Sequence, residues 1–338
     1  MVLLRLGIGI ALIGLLLWVG LLDVRALAGA LLHPPLLIAA LAVLFGTLLI
    51  AATRWQLLLR VQGIRLPGRA TLRVVLAAAF FSTFLPGALG GDLVRSGYII
   101  RAAHGRASTG LLSLLMDRVL GLAGLLVASA MAALAHPAEI PGMITIAIWI
   151  ALAVLALAGI MLPRLTRRLA RRVHPSTGTW RAALAKWLHE INSALAVYRR
   201  APLALLAGLA LSMLICAFDV AGLLLVMRAM SIDALPWIQQ ALACMLALIA
   251  NNLPFTPGGL GVGEAAFANA ALALESVHSG APYATAFLAY RCMAIIATLP
   301  GAFLGIHVPA RPEAPRGTAT NAARKRPESQ ITSRKSPS

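Results

Sequence analysis

The chain has 338 residues, 60% of them hydrophobic and only 12% charged, and a formal net charge of +18 at pH 7. Soluble domains are about half apolar and about a quarter charged, so a water-soluble enzyme is excluded as the main body of this chain. The basic excess would suggest nucleic acid in a soluble protein, but here Lys and Arg cluster between apolar blocks, the positive-inside pattern, and nucleic acid is not an expected partner.

A bilayer core about 30 Å thick needs about 20 helical residues. Six apolar stretches qualify: Leu3–Leu22, Pro35–Thr53, Ala107–Ala135, Met143–Leu162, Pro202–Met227 and Ala284–Val308. Ala26-Leu27-Ala28 mimics a signal-peptidase site. The apolar run before it is too long for a signal peptide, and Asp23 and Arg25 interrupt it, so the first stretch is expected to be a retained span. Two further stretches break early. Thr71–Leu85 is short and meets Pro86. Leu235–Leu253 runs into Pro254, Pro257 and several glycines.

Charge sets sidedness. Basic residues crowd Arg54–Arg73, Arg95–Arg106, Pro163–Arg200 and the tail after Pro309, which should be cytoplasmic. His136–Gly142 and Ser276–Pro282 hold no Lys or Arg, and Asp23–Pro34 and Arg228–Pro236 hold one each, so these should face outward. Thr71–Arg95 then begins and ends inside, and Leu235–Glu275 begins and ends outside. Both read as re-entrant broken hairpins entering from opposite faces. The expected fold is an all-α polytopic membrane protein, with six full spans plus two re-entrant hairpins in an inverted-topology repeat. The transmembrane domain covers 1–308, with repeat halves at about 3–135 and 143–308. An amphipathic helix over about 179–197 should rest on the cytoplasmic leaflet. The basic tail, 309–338, is expected to be disordered, and both termini cytoplasmic.

The halves echo each other in sequence. Pro86-Gly87-Ala88-Leu89-Gly90-Gly91-Asp92 resembles Pro257-Gly258-Gly259-Leu260-Gly261-Val262-Gly263-Glu264. An arginine follows about 26 residues after each acid, Arg118 and Arg291. Broken backbone is tolerated at membrane depth only when buried in protein or lining a wet cavity. Pro86, Gly87, Gly90 and Gly91, with Pro257, Gly258, Gly259 and Gly261, are therefore expected inside the bundle. The amides of each restarted helix would attract anions.

Asp92 and Glu264 open those helices. They either cap them and offset the dipole, or pair with Arg95, Arg118 or Arg291, or couple protons. Asp117, Arg118, Asp219 and Arg291 lie within spans, where each costs roughly 3 kcal/mol in lipid unless it faces a partner or a hydrated cavity. Asp117 and Arg118 are neighbours and point about 100° apart on a helix, so each needs another partner. The planar arginine fork suits phosphate. An anionic headgroup meeting Arg95, Arg118, Arg291 and the hairpin amides is the expected ligand. Asn251 and Asn252 flank the second break, and are read as satisfying freed carbonyls, with substrate binding as the alternative. Gly259, Gly261 and Gly263 lack the βαβ context of a nucleotide loop. The histidines lack ligand spacing, and Cys216, Cys244 and Cys292 lack metal or redox spacing. No cofactor and no metal are expected.

Phe80-Phe81-Ser82-Thr83-Phe84-Leu85-Pro86-Gly87, Gly90-Gly91-Asp92 with Arg95, Asp117-Arg118, Pro257-Gly258-Gly259-Leu260-Gly261 with Glu264, and Arg291 together resemble the transmembrane domain of lysylphosphatidylglycerol synthases. The wider group is a flippase-like membrane protein family. The resemblance covers about Leu4 to Val308. It implies movement of lipid between leaflets, and no lysyl transfer, because only about 30 residues follow the last span. The expectation is a bacterial inner-membrane, flippase-like protein that binds an anionic phospholipid or lipid-linked headgroup and is not an enzyme. Two alternatives stand beside it. One is a membrane-embedded enzyme using Asp92, Asp117 and Glu264 on a lipid-linked substrate. The other is a non-transporting scaffold for a lipid-modifying enzyme partner.

Overall fold

The computed structural model describes residues 24–84, 89–102, 107–172, 190–233, 235–252, 261–275 and 280–304. The first expected span, the hairpin tips Pro86, Gly87, Pro257, Gly258 and Gly259, the start of the amphipathic segment and the basic tail lie outside the described residues. All regular structure among the described residues is helical. In chain order it comprises α1 (Val24–Ala30), α2 (Pro34–Val61), α3 (Gly68–Phe84), α4 (Leu89–Ala102), α5 (Ala107–Ala135), α6 (Gly142–Arg172), α7 (Pro202–Ala229), α8 (Trp237–Asn251), α9 (Val262–Leu274), α10 (Tyr283–Thr298) and α11 (Pro300–Leu304). Residues 190–199 are also helical. Five helical segments are long and apolar enough to cross a bilayer, starting at Pro34, Gly110, Gly142, Pro202 and Tyr283. They correspond to the five expected spans after the first.

Two long helices, α2 and α7, are built alike. Both α2 and α7 have 28 residues and open with proline in the first turn, where the missing N–H is no loss. Both close with the same pair of backbone bonds. After α2, Gly63 N–H donates to Arg60 O at 2.9 Å and Ile64 N–H to Leu59 O at 2.9 Å. After α7, Ser231 N–H donates to Arg228 O at 3.0 Å and Ile232 N–H to Met227 O at 2.9 Å. This closure needs a left-handed residue just beyond the helix. Gly63 supplies it with φ 75°, and Ser231 with φ 56°. Each helix also ends with an arginine in its last turn, Arg60 and Arg228, which suits the negative end of the dipole.

These helices cross at the centre of the bundle and are held close by small residues. A Cβ on Gly46 would stand 2.7 Å from the Phe218 ring, and one on Gly222 would stand 2.7 Å from Leu44 Cδ2. In lipid, helices associate through such packing because the tails are as apolar as leucine. The main core lies around this crossing and includes Leu44, Leu223, Met227, Leu242, Phe267 and Phe287. Flanking it are two packed helix pairs, α3 with α4 and α8 with α9. They stand where the sequence places its broken hairpins. Gly91 lets α4 approach α3 closely, since a Cβ there would meet Ser82 Oγ and stand 2.7 Å from Ala78 O.

Two boundaries differ from expectation. Helix α2 continues past Thr53 to Val61, so Arg54 is a buried helical residue and not a loop charge. A carboxylate and a serine inside the bundle satisfy it, which removes the reason to leave the helix. Helix α6 runs through Pro163 to Arg172, well beyond Leu162. Its far end leaves the apolar stretch and carries Arg164, Arg167, Arg168, Arg171 and Arg172.

The crossing makes a clear stability prediction. Gly222→Val should lower the melting temperature of the detergent-solubilised protein by several degrees. Gly142→Ala, which places its Cβ where no atom lies within 4 Å, should leave it unchanged. Equal melting of both variants would show that the close approach carries no stability.

Candidate functional site

Two of the arginines of the bundle are gathered by one carboxylate. Asp117, on α5, accepts from Arg54 Nε of α2 at 2.8 Å on one oxygen and from Arg95 Nη1 of α4 at 2.9 Å on the other. Arg54 Nη1 also donates to Ser212 Oγ of α7 at 2.8 Å, and Ser212 Oγ donates to Gly208 O of its own helix at 2.8 Å. Four helices are thus tied by one buried chain of charge-assisted bonds. Asp117 is 4% exposed and Arg54 8%, so neither charge meets solvent or lipid freely. Arg95 also lies over the Trp55 ring, its guanidinium carbon 5.3 Å from the ring centroid.

Arg118 leaves α5 in another direction, as adjacent helical positions must. Its Nη2 lies 3.1 Å from Asp92 Oδ2 on α4. In the second half Glu264, in the first turn of α9, accepts from Arg291 Nη1 of α10 at 2.6 Å and from Gly261 N–H at 2.8 Å. Glu264 therefore both caps its helix and holds the arginine. Gly261, just before α9, has φ 84°, a conformation open to glycine and strained for other residues. Arg291 Nη2 donates to Asn251 Oδ1 at 2.7 Å, while Asn252 Nδ2 donates back to Leu248 O at 2.9 Å. In both halves the acid that opens the restarted helix holds the arginine of the next long helix.

A cavity of about 240 Å³ lies among these groups. Arg54, Arg95, Arg118, Asp92, Asp117 and Asp219 line it, with Ser82 and Gly91 from the first helix pair and Leu248 and Asn252 from α8. Both broken segments therefore contribute to one cavity. Arg95 Nε is buried and has no acceptor among the described residues, although the residue lines the cavity. A buried donor left this way costs about 1–3 kcal/mol and marks a place where a further acceptor is wanted.

Of the expected site residues, the cavity brings together Gly91, Asp92, Arg95, Asp117, Arg118 and Asn252. Arg291 and Glu264 do not line it; they form a separate buried pair. Of the three arginines expected to meet a headgroup, Arg95 and Arg118 line the cavity and Arg291 does not, while Arg54 joins them there. Gly261 lies off the lining, in a helix cap, and Gly90 is in the first turn of α4. Asp219, expected to face a partner or a hydrated cavity, lines the cavity. It meets two hydroxyls, accepting from Tyr290 Oη at 3.2 Å and Thr47 Oγ1 at 3.5 Å, and no cation lies within ion-pair distance among the described residues. Sequence reasoning passed over Arg54, Ser212, Trp55, Thr47 and Tyr290. Arg54 had a usable signal, since it stands one helical turn after Ile50 and the apolar pattern resumes beyond it at Trp55, Leu57, Leu58 and Leu59.

These features define a polytopic, all-helical membrane protein whose charges are collected inside the bundle around a small polar cavity. Residues 2–305 match the family of the lysylphosphatidylglycerol synthase TM region, and the chain belongs to that family. Comparison with curated proteins and with solved structures gives no match.

The two span acids should behave oppositely. Asp117→Asn leaves two buried arginines short of a counter-charge and should cost about 3–5 kcal/mol, read as a large fall in melting temperature in detergent. Asp219→Asn keeps an acceptor for Tyr290 and Thr47 and should cost no more than about 1 kcal/mol. The reverse order of melting temperatures would contradict this division of roles.

Proposed function

We propose that this protein moves an anionic lipid or lipid-linked headgroup between leaflets of a cell inner membrane, using the central cavity as its polar stopover. The observation that carries the reading is the convergence of Arg54, Arg95 and Arg118, from three helices, on a cavity that also touches both broken helix pairs. Polar groups at membrane depth mark substrate pathways, and discontinuous helices meeting between repeats are the usual transporter site. The arginine fork favours phosphate, and Arg95 Nε offers a buried donor still lacking an acceptor. The family membership agrees with a lipid-handling role.

In this reading the two halves have inverted topology, the termini are cytoplasmic, and the pairs α3–α4 and α8–α9 enter from opposite faces. Asp117 and Asp92 hold the arginines in place between visits of the cargo. A phosphate entering the cavity would share those guanidiniums, and the fixed carboxylates would keep its binding weak enough for release. The cavity is small, so only the headgroup would enter, with the acyl chains left in the surrounding bilayer. The chain's own part is binding and orientation, without bond making.

Reconstitution into liposomes carrying labelled phosphatidylglycerol or labelled phosphatidylcholine tests this. Wild-type protein should exchange the anionic lipid between leaflets faster than the zwitterionic one. Arg118→Gln, at the half-exposed rim of the cavity, should slow that exchange roughly 10-fold, the loss of one charge-assisted contact, and Arg118→Lys should restore part of it. Equal exchange by wild type and Arg118→Gln would refute the assignment. Chemical conversion of the lipid by protein in detergent would replace it with an enzymatic one.

A further inference from the structure

A second concavity lies on the side of the bundle, away from the charged network. Its walls are α5, the far half of α6, residues 190–199 and the start of α7. The near half of α6 packs on the main core through Ile148, with Ile144 and Leu152 beside it. Beyond Leu155 the helix departs from its neighbours and leaves a groove of about 490 Å³. Two bonds fix the walls. Thr166 Oγ1 donates to Asn192 Oδ1 at 2.9 Å, joining the end of α6 to residues 190–199. Tyr198 Oη donates to Leu58 O at 3.2 Å, joining that helical stretch to α2. The groove is therefore a built feature and not a chance gap between mobile helices.

The lining divides into two kinds. Leu115, Val119, Leu155 and Leu195 make an apolar floor. Arg164 and Arg167 stand on one wall and Arg199 on the other, and no acid lines the groove among the described residues. Arg164 and Arg167 are three residues apart and so share a face of α6. Gly159 lies in the floor, and a Cβ there would meet no atom within 4 Å. Pro163 has no N–H, so the Gly159 carbonyl lacks its usual helical donor. An apolar trench ending in three cations fits an amphiphile with a chain and an anionic head.

We propose that this groove holds one resident anionic phospholipid, with an acyl chain along the floor and its phosphate on Arg164, Arg167 and Arg199. The site is separate from the central cavity. The two share no lining residue, and the buried cluster of Leu58, Leu112, Leu120 and Tyr198 backs the groove. The bound lipid fills the space between α6 and the rest of the bundle and acts as a structural ligand. The inference does not rest on the translocation reading, since a protein that moves no lipid can still hold one here.

Native mass spectrometry and thermal unfolding of the full chain in detergent, with added phosphatidylglycerol or phosphatidylcholine, test it. Wild type should retain one phosphatidylglycerol through delipidation, and its melting temperature should rise with that lipid and not with phosphatidylcholine. Gly159→Leu places a side chain in the open floor while favouring the helix, and should weaken phosphatidylglycerol binding at least ~10-fold. Arg164→Gln, Arg167→Gln and Arg199→Gln together should do the same. Arg118→Gln, in the central cavity, should keep the bound lipid. Retention unchanged in Gly159→Leu, or phosphatidylcholine bound as well as phosphatidylglycerol, would overturn the proposal. Should the triple variant fail to fold, the Gly159→Leu result alone decides.

Discussion

Asp117 carries two guanidiniums, one on each carboxylate oxygen, inside a bundle whose exterior faces lipid. Each of these charges alone would cost several kcal/mol at that depth. Together they are tolerable, and their geometry then constrains everything attached to them. Arg54 fixes α2, Arg95 fixes α4, and Ser212 brings in α7. The first broken helix pair is thereby fastened to the central crossing, and the cavity exists because the arginines held by Asp117 are also exposed to its interior. Such a network is weak support for stability taken as a whole, since apolar residues could replace it at little cost. In the proposed reading its part is to keep guanidiniums that suit a phosphate in position.

The second half uses the same device with different consequences. Glu264 and Arg291 pair as Asp92 and Arg118 do, but they are more deeply enclosed and do not line the cavity. On α10, Tyr290 turns toward Asp219 at the cavity while the next residue, Arg291, turns to Glu264. The paired motif thus serves as an opening in one half and as a brace in the other. Helices α2 and α7, one on each side of the chain's midpoint, also share their length, their proline start and their closing pair of bonds.

Much of this was legible in the residues. Long apolar runs announce spanning helices because lipid leaves the backbone few other choices, and five of the six expected spans appear as helices. The Pro-Gly breaks foretold two short helix pairs. Helix ends were harder to place, because a span is delimited by composition and a helix by hydrogen bonding, so α2 and α6 continue beyond their apolar stretches. That is why Arg54 read as a loop charge. The partners of Asp219 were hidden for another reason. Thr47 and Tyr290 are unremarkable within apolar runs, and only the crossing of α2, α7 and α10 brings their hydroxyls to one carboxylate. Which arginine joins the cavity depends on helix rotation, and residue spacing along one chain does not determine that.

The central claim is that Asp117 clamps α4 to the bundle. Spin labels at Ile100 on α4 and Leu206 on α7, both on exposed positions, report it directly through their distance distribution, with Cys292 replaced by serine. The account predicts one narrow distance in the otherwise native protein in nanodiscs, and a longer, broader distribution once Asp117 is changed to Asn. An unchanged narrow distribution in Asp117→Asn would show that packing alone positions α4 and would contradict the claim.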